Sequence, residues 1–300
     1  MKEADDDRLS DSPALVQNPW AELRRLTPAR LALGRAGGSL PTAEMLSFQL
    51  DHARAMDAVH RRLSVEELEQ ALQTSPVVRE LCGPDPVQLF SEVRDRPAYL
   101  QRPDLGRRLD ERSYQLLHDQ GGARDKTIDL ALVVADGLSA MAIELYTLPF
   151  LEAFLGLLRT DTAPWRVAPI SIVSQARVAI GDDVGEALGA RAVLVLIGER
   201  PGLSSPDSMG LYLTWAPRRG RHDAERNCIS NVRSAGLSCE DAARKAFNLL
   251  KDAFRLEISG IGLKDRSEAF DAGAQLGQDS VGSFRLVQDS SDGDIRKHES

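Results

Sequence analysis

Leu194-Val195-Leu196-Ile197-Gly198-Glu199-Arg200-Pro201-Gly202-Leu203 is the stretch from which the fold is read. The apolar run 192–197 is unbroken, as in a strand buried on both faces of a parallel sheet. It ends in Gly-Glu-Arg-Pro-Gly. Two glycines and a proline force a turn there and hold a carboxylate and a guanidinium at the carboxyl end of the strand. In open α/β sheets that end of the strands borders the ligand crevice. Taken alone, the residue types favour an ordinary strand-to-helix turn with a solvated Glu199/Arg200 pair.

Working toward the N-terminus, Ile128 to Val134 predicts an earlier strand, and Ala135-Asp136-Gly137-Leu138-Ser139 turns it into a helix rich in Ala and Leu. Pro149 predicts a kink or break in that helix. Residues 167–173 read as a strand despite Pro169, at an edge or a bulge. Residues 181–189 form a short helix. Beyond the Gly-Glu-Arg-Pro-Gly turn, residues 211–215 are a further strand. Ser238-Cys-Glu-Asp241 caps a long helix with Ala243, Phe247, Leu250 and Phe254 on one face.

The part before residue 126 has a helical texture. Pro41-Thr42 opens a helix whose Met45, Phe48, His52, Met56, Val59 and Leu63 recur at steps of three and four. His52 and His60 share that helix, and with no third ligand nearby they read as packed or surface histidines rather than a metal pair. Ser64-Val-Glu-Glu67 has the form of a capping box. Asp104 is the expected N-cap of a helix carrying Leu105, Leu109 and Leu116, which ends at Gly121-Gly122. Residues 1–18 are acidic and polar and read as a disordered leader, and residues 266–300 as a flexible tail. The expected organisation is thus an N-terminal helical region (19–125) followed by an α/β domain (126–265). That domain is a Rossmann-like, mainly parallel wound sheet with flanking helices.

Composition narrows the function classes. The 300 residues are 42% hydrophobic and 27% charged, with a formal net charge of −8. An acidic balance argues against nucleic acid as the main partner. No secretory leader and no apolar run near the ~20 residues of a membrane span is read, so the chain is expected in the cytoplasm. Cys82, Cys228 and Cys239 are odd in number and lack metal-type spacing, as in a reducing compartment. Arginines 24, 25, 30 and 35 cluster in one segment and suit either solvent or an interface. No dinucleotide, P-loop, nucleophile-elbow or zincin motif is present. Cys228, without an evident histidine partner, reads as a small packed residue rather than a nucleophile. Neither catalytic residues nor metal ligands are therefore assigned.

Five runs are more specific: 26–37 (LTPARLALGRAG), 102–109 (RPDLGRRL), 134–139 (VADGLS), 197–203 (IGERPGL) and 226–231 (RNCISN). In this order they resemble the small subunit (light chain) of ethanolamine ammonia-lyase, over residues of about 20 to 265. The resemblance implies a two-component, adenosylcobalamin-dependent lyase that converts ethanolamine to acetaldehyde and ammonia. A barrel-type large subunit would hold the substrate, and this chain would cover the cobalamin at the interface of a hetero-oligomer. By the same resemblance the cofactor contacts fall at Val178, Glu199 and Cys228. An apolar corrin rim suits Val178, ring amides need an acceptor such as Glu199, and Cys228 permits close approach. The family binds cobalamin with its own base on cobalt, and no D-x-H-x-x-G run is present here. It often sits in a bacterial microcompartment, and its chains typically end near residue 265. Two rival readings stay open: a nucleotide-binding enzyme on a wound sheet, and a purely structural assembly subunit.

Overall fold

The computed structural model describes residues 18–27, 29–122 and 128–264, so the expected 266–300 tail and nearly all of the expected leader lie outside it. The chain forms a mixed α/β structure around one six-stranded sheet. Its strands are β1 (Val87–Phe90), β2 (Leu130–Ala135), β3 (Ser171–Ser174), β4 (Ala192–Gly198), β5 (Met209–Trp215) and β6 (Arg226–Val232). They lie in the order β1-β3-β2-β4-β5-β6. The first four are parallel, β5 runs antiparallel to β4, and β6 antiparallel to β5.

The unbroken apolar runs are explained by burial on both faces. Leu130, Leu132 and Val134 of β2 and Leu194 and Leu196 of β4 point into one core. There they meet α2 (Val65–Thr74), α3 (Pro76–Cys82), α6 (Ala140–Thr160) and α8 (Cys239–Leu256). Ala131, Val133, Ala135, Val193, Val195 and Ile197 point into a second core. That face is covered by α5 (Glu111–Gly122) and α7 (Ile180–Leu188). Each fully buried Val, Leu or Ile contributes roughly 1.5–3 kcal/mol, so a register slip that exchanged the faces is strongly disfavoured. α7 carries two glycines toward the sheet. A Cβ on Gly181 would stand 2.4 Å from Val195 Cγ2, and one on Gly185 2.3 Å from Pro217 Cγ.

Several expectations need correction. The segment after β4 is not a strand-to-helix turn; residues 199–208 join β4 to the antiparallel β5. β1 and β6 were not anticipated. α6 runs continuously through Pro149. Pro149 and Leu145, whose carbonyl would otherwise take the missing N–H bond, both lie on the exposed face of the helix, where the lost bond costs least. β3 lies between β1 and β2, and Pro169 precedes it, so neither an edge nor a bulge is needed. Ser64 makes no side-chain cap to α2. Asp104 caps nothing and instead binds Arg102. Asp110 takes the capping role, accepting from Ser113 N at 2.7 Å, and Leu117 rather than Leu116 is the buried leucine of α5.

Two helices depart from expectation in their burial. α6 is 21 residues long and, contrary to the sequence reading, apolar enough to cross a membrane. Nine of its residues are buried against the sheet and α8, which accounts for its apolarity here. α1 (Thr42–His60) forms where predicted, yet only Ala58 is buried. Met45, Phe48 and Met56 of the expected core face are exposed, with His52 stacked on Phe48 at 6.3 Å.

Candidate functional site

The crossovers from β2 through α6 and from β3 through α7 cover opposite faces of the sheet. The loops at the carboxyl ends of β2, β3 and β4 therefore gather at one edge. Gly137 and Gly198 let two of them touch. Leu138 N donates to Gly198 O at 2.9 Å, and a Cβ on Gly198 would stand 2.1 Å from Ser139 O. Ser139 caps α6 through Ala142 N and donates its hydroxyl to Pro206 O at 2.7 Å. Tyr146 of α6 holds Asp207 at 2.7 Å, so the 199–208 loop is fastened at two points to one helix.

The β3 loop is set by a buried aromatic post. Tyr99, from the short helix α4 (Arg96–Gln101), donates its hydroxyl to Ala176 O at 2.9 Å. Its ring lies between the guanidinium groups of Arg96 at 4.6 Å and Arg177 at 4.1 Å. Burial pushes the Asp136 carboxyl up, opposed by the Ala176 N–H and by Arg96 at 3.5 Å. Gly106 brings the 102–109 run onto this loop: Arg177 N donates to Gly106 O at 2.7 Å, and a Cβ would meet Arg177 Cγ at 3.0 Å.

Helix cover on the α7 face stops at β5. Tyr212 of β5 and its cross-strand partner Cys228 of β6 therefore border an open cavity of about 500 Å³ with Val178 and Ala179. Pro103, Arg107, Arg177, Asp223 and Arg226 complete the lining. Arg226 is buried and forks onto Asp182 with contacts of 2.6 and 2.7 Å. Burial raises the Asp182 carboxyl above its ordinary value, with Arg226 opposing. Desolvation raises the Cys228 thiol; the Tyr212 hydroxyl opposes this and the Glu199 charge adds to it. Among the described residues no group of three His, Cys, Asp or Glu is placed to hold a metal.

Val178 and Cys228 thus share a cavity, and Glu199 sits beside it. Its carboxylate accepts from Ser208 Oγ at 2.5 Å, from Ser230 Oγ and from Asn231 N at 3.2 Å. It rests over Gly210, where a Cβ would come within 2.9 Å of Oε1. Arg200 makes no ion pair with it among the described residues. Arg24 and Arg30 pair internally with Glu44 and Asp51, each at 2.7 Å. A second cavity, of about 410 Å³, lies between that segment and Leu203–Ser204. Sequence reading missed Tyr212, Arg177 and Arg226. Of these only Arg226 carried a signal, by standing first in the 226–231 run.

The 102–109 and 226–231 runs thus line one cavity with Val178, the 134–139 and 197–203 runs meet each other at Gly137 and Gly198, and the 26–37 run lines the cavity beside Leu203. Residues 17–264 match the family model of the ethanolamine ammonia-lyase light chain. The chain is 53% identical over 264 residues to the ethanolamine ammonia-lyase small subunit of Azotobacter vinelandii, covering 87% of this chain and 93% of that one. It is 52% identical over 263 residues to the same-named protein of Ralstonia nicotianae, with coverages of 87% and 94%. With the Pseudomonas aeruginosa PAO1 protein of that name it shares 49% over 286 residues, 95% of this chain and 99% of the other. That last match runs past residue 265. By the extent of these matches, the chain belongs to the ethanolamine ammonia-lyase light-chain (small-subunit) family.

Proposed function

We propose that this chain is the small subunit of an adenosylcobalamin-dependent ethanolamine ammonia-lyase, which converts ethanolamine to acetaldehyde and ammonia. It would work as part of a hetero-oligomer with a barrel-type large subunit, in the cytoplasm and, where one is formed, in a bacterial microcompartment. The observation that carries the reading is that Val178 and Cys228, two of the positions the family likeness implies, line one cavity together with Pro103 and Arg107 of the 102–109 run and Arg226 of the 226–231 run. The cavity fits one edge of a corrinoid. Val178, Tyr212 and Pro103 supply apolar wall, and the buried Nε atoms of Arg177 and Arg226 lack a hydrogen-bond partner. When bound, adenosylcobalamin supplies the radical chemistry. This chain's residues bind and orient the cofactor and exclude water: Val178, Tyr212 and Cys228 against the ring, and the remaining acceptor site of Glu199 toward a ring amide.

A partner chain is supported by apolar side chains left bare. Trp20, Leu26, Leu40, Met45, Leu46 and Phe48 are all exposed within one N-terminal segment, a concentration that marks an interaction surface. The nucleotide-binding alternative loses ground at the β2–α6 turn. There Gly198 backbone fills the space against Gly137 that a pyrophosphate would need.

Alkylation of Cys228 in the reconstituted two-subunit complex tests the reading. Adenosylcobalamin should slow iodoacetamide labelling of Cys228 and leave buried Cys82 unlabelled throughout. Equal labelling with and without cofactor would leave the assembly-subunit alternative standing. Acetaldehyde formation by this chain alone would refute the division of labour.

A further inference from the structure

We propose that Arg107, Arg177 and Arg226 form an anion subsite, and that it takes the phosphodiester of the ligand held against Val178 and Cys228. This rests on the cobalamin reading above, since that cofactor carries one phosphodiester in its nucleotide loop. The chain has a net charge of −8, yet the cavity wall sets three arginines against a single aspartate, Asp223. Two of the three are held rigidly by other contacts. Arg226 is fixed by its fork onto Asp182 and by Arg221 O at 3.0 Å, and its side chain is 2% exposed. Its Nε is left over, with Asp223 Oδ1 at 3.5 Å, an ion-pair distance without a hydrogen bond. Arg177 is fixed by the Tyr99 ring and by Tyr99 O at 3.0 Å, and its Nε is also buried without a partner.

Arg107 is the exposed member. It is 52% exposed and shares Asp223 at 3.5 Å. Arg107 and Ala179 also line a neighbouring cavity of about 610 Å³. There Arg108 has no side-chain partner among the described residues, whereas Arg102 and Arg219 are paired with Asp104 and Asp183. In the wall beside Val178 and Cys228, the Nε–H groups of Arg177 and Arg226 therefore lack a hydrogen-bond acceptor, and a neutral apolar ligand would not supply one. Buried donors without an acceptor are costly, and a phosphate oxygen accepting from several of them removes that cost. Planar guanidinium groups suit that geometry better than ammonium groups.

The test compares adenosylcobalamin with adenosylcobinamide, which has the same corrin and no nucleotide loop. Both are titrated into the reconstituted complex containing wild type, R107Q or D223N, with melting temperature as the check on folding. R107Q should weaken cobalamin about tenfold and leave cobinamide unchanged, and added salt should shrink the difference. D223N removes the competing carboxylate and should tighten cobalamin alone. Wild type that binds both corrinoids, with R107Q weakening both equally or neither, overturns the anion subsite and leaves the cobalamin reading intact. Wild type that binds neither overturns that reading, and this proposal with it.

Discussion

Glu199 offers the sharpest test of the site's construction, because its carboxylate is already engaged by three donors of its own chain. Glu199→Ala strands Ser208 Oγ, which belongs to a residue only 6% exposed. A buried hydroxyl without an acceptor costs about 1–3 kcal/mol. Ser230 and Asn231 are exposed, and water replaces the lost acceptor there at little cost. The substitution should therefore cost about 2 kcal/mol, or roughly 3–4 °C in melting temperature for a chain of this size. Glu199→Gln keeps the shape and one acceptor, and Ser230 can turn its hydroxyl to accept from the new amide, so about half that loss is expected. A carboxylate offers about four acceptor sites. With three occupied, a corrin amide competes for only one, and cofactor affinity should fall about tenfold. The assay is calorimetry of the full chain without cofactor, followed by cofactor titration of the reconstituted complex. If Glu199→Ala melted like wild type, the three hydrogen bonds would carry no weight and the reasoning would fail.

Gly198→Ala places a methyl 2.1 Å from Ser139 O and 2.7 Å from Asp136 O, so backbone must move; urea denaturation should show a loss of about 3 kcal/mol. Gly156→Ala in α6 meets nothing within 4 Å and should be neutral or stabilising by up to about 1 kcal/mol; equal effects at the two glycines would discredit the packing described at the sheet end. The Lys251 ammonium, with Trp165 Nε1 and Thr162 N also donating, holds the Asp161 carboxyl below its ordinary value. A depressed folded-state pKa gives stability that is present above the unfolded value near 4 and is lost as pH falls through the folded value. The melting-temperature advantage of wild type over Asp161→Asn should therefore shrink as pH drops below about 4; an advantage that stays constant to pH 2.5 would rule out this linkage.

How far the fold could be read depended on where each strand lies in the sheet. β2 and β4 are covered on both faces, so their sequences are unbroken apolar runs, and α7 and α8 carry caps that local chemistry makes visible at Gly189 and Ser238. β1 and β6 are edge strands. β1 has only Leu89 fully buried, and in β6 Cys228 and Ser230 point to the uncovered face, so neither shows an apolar run. The direction of β5 was hidden for a related reason. A ten-residue connection can return antiparallel or lead into a helix, and here contacts from Ser139 and Tyr146, more than fifty residues earlier, hold it in the return path.

The cavity itself was legible only through family likeness, because its chemistry is assembled from pairs far apart in sequence. Asp182 and Arg226 are 44 residues apart, and Tyr99 and Ala176 are 77 apart. No periodicity encodes such pairs, since helix and strand patterns report which face is covered and not what a loop will meet. Val178 and Cys228 come together because α7 ends its cover of the sheet at β4, which leaves Tyr212 and Cys228 bare beside the loop that leads into that helix. The glycines are the exception. Gly106, Gly137, Gly198 and Gly210 each stand where a Cβ would strike backbone or a site side chain within about 3 Å. Three of them lie inside the five runs, so those runs were distinctive partly because each loop must approach another loop's backbone. The constraint that marks the family in sequence is, at these positions, the close approach of one loop to another.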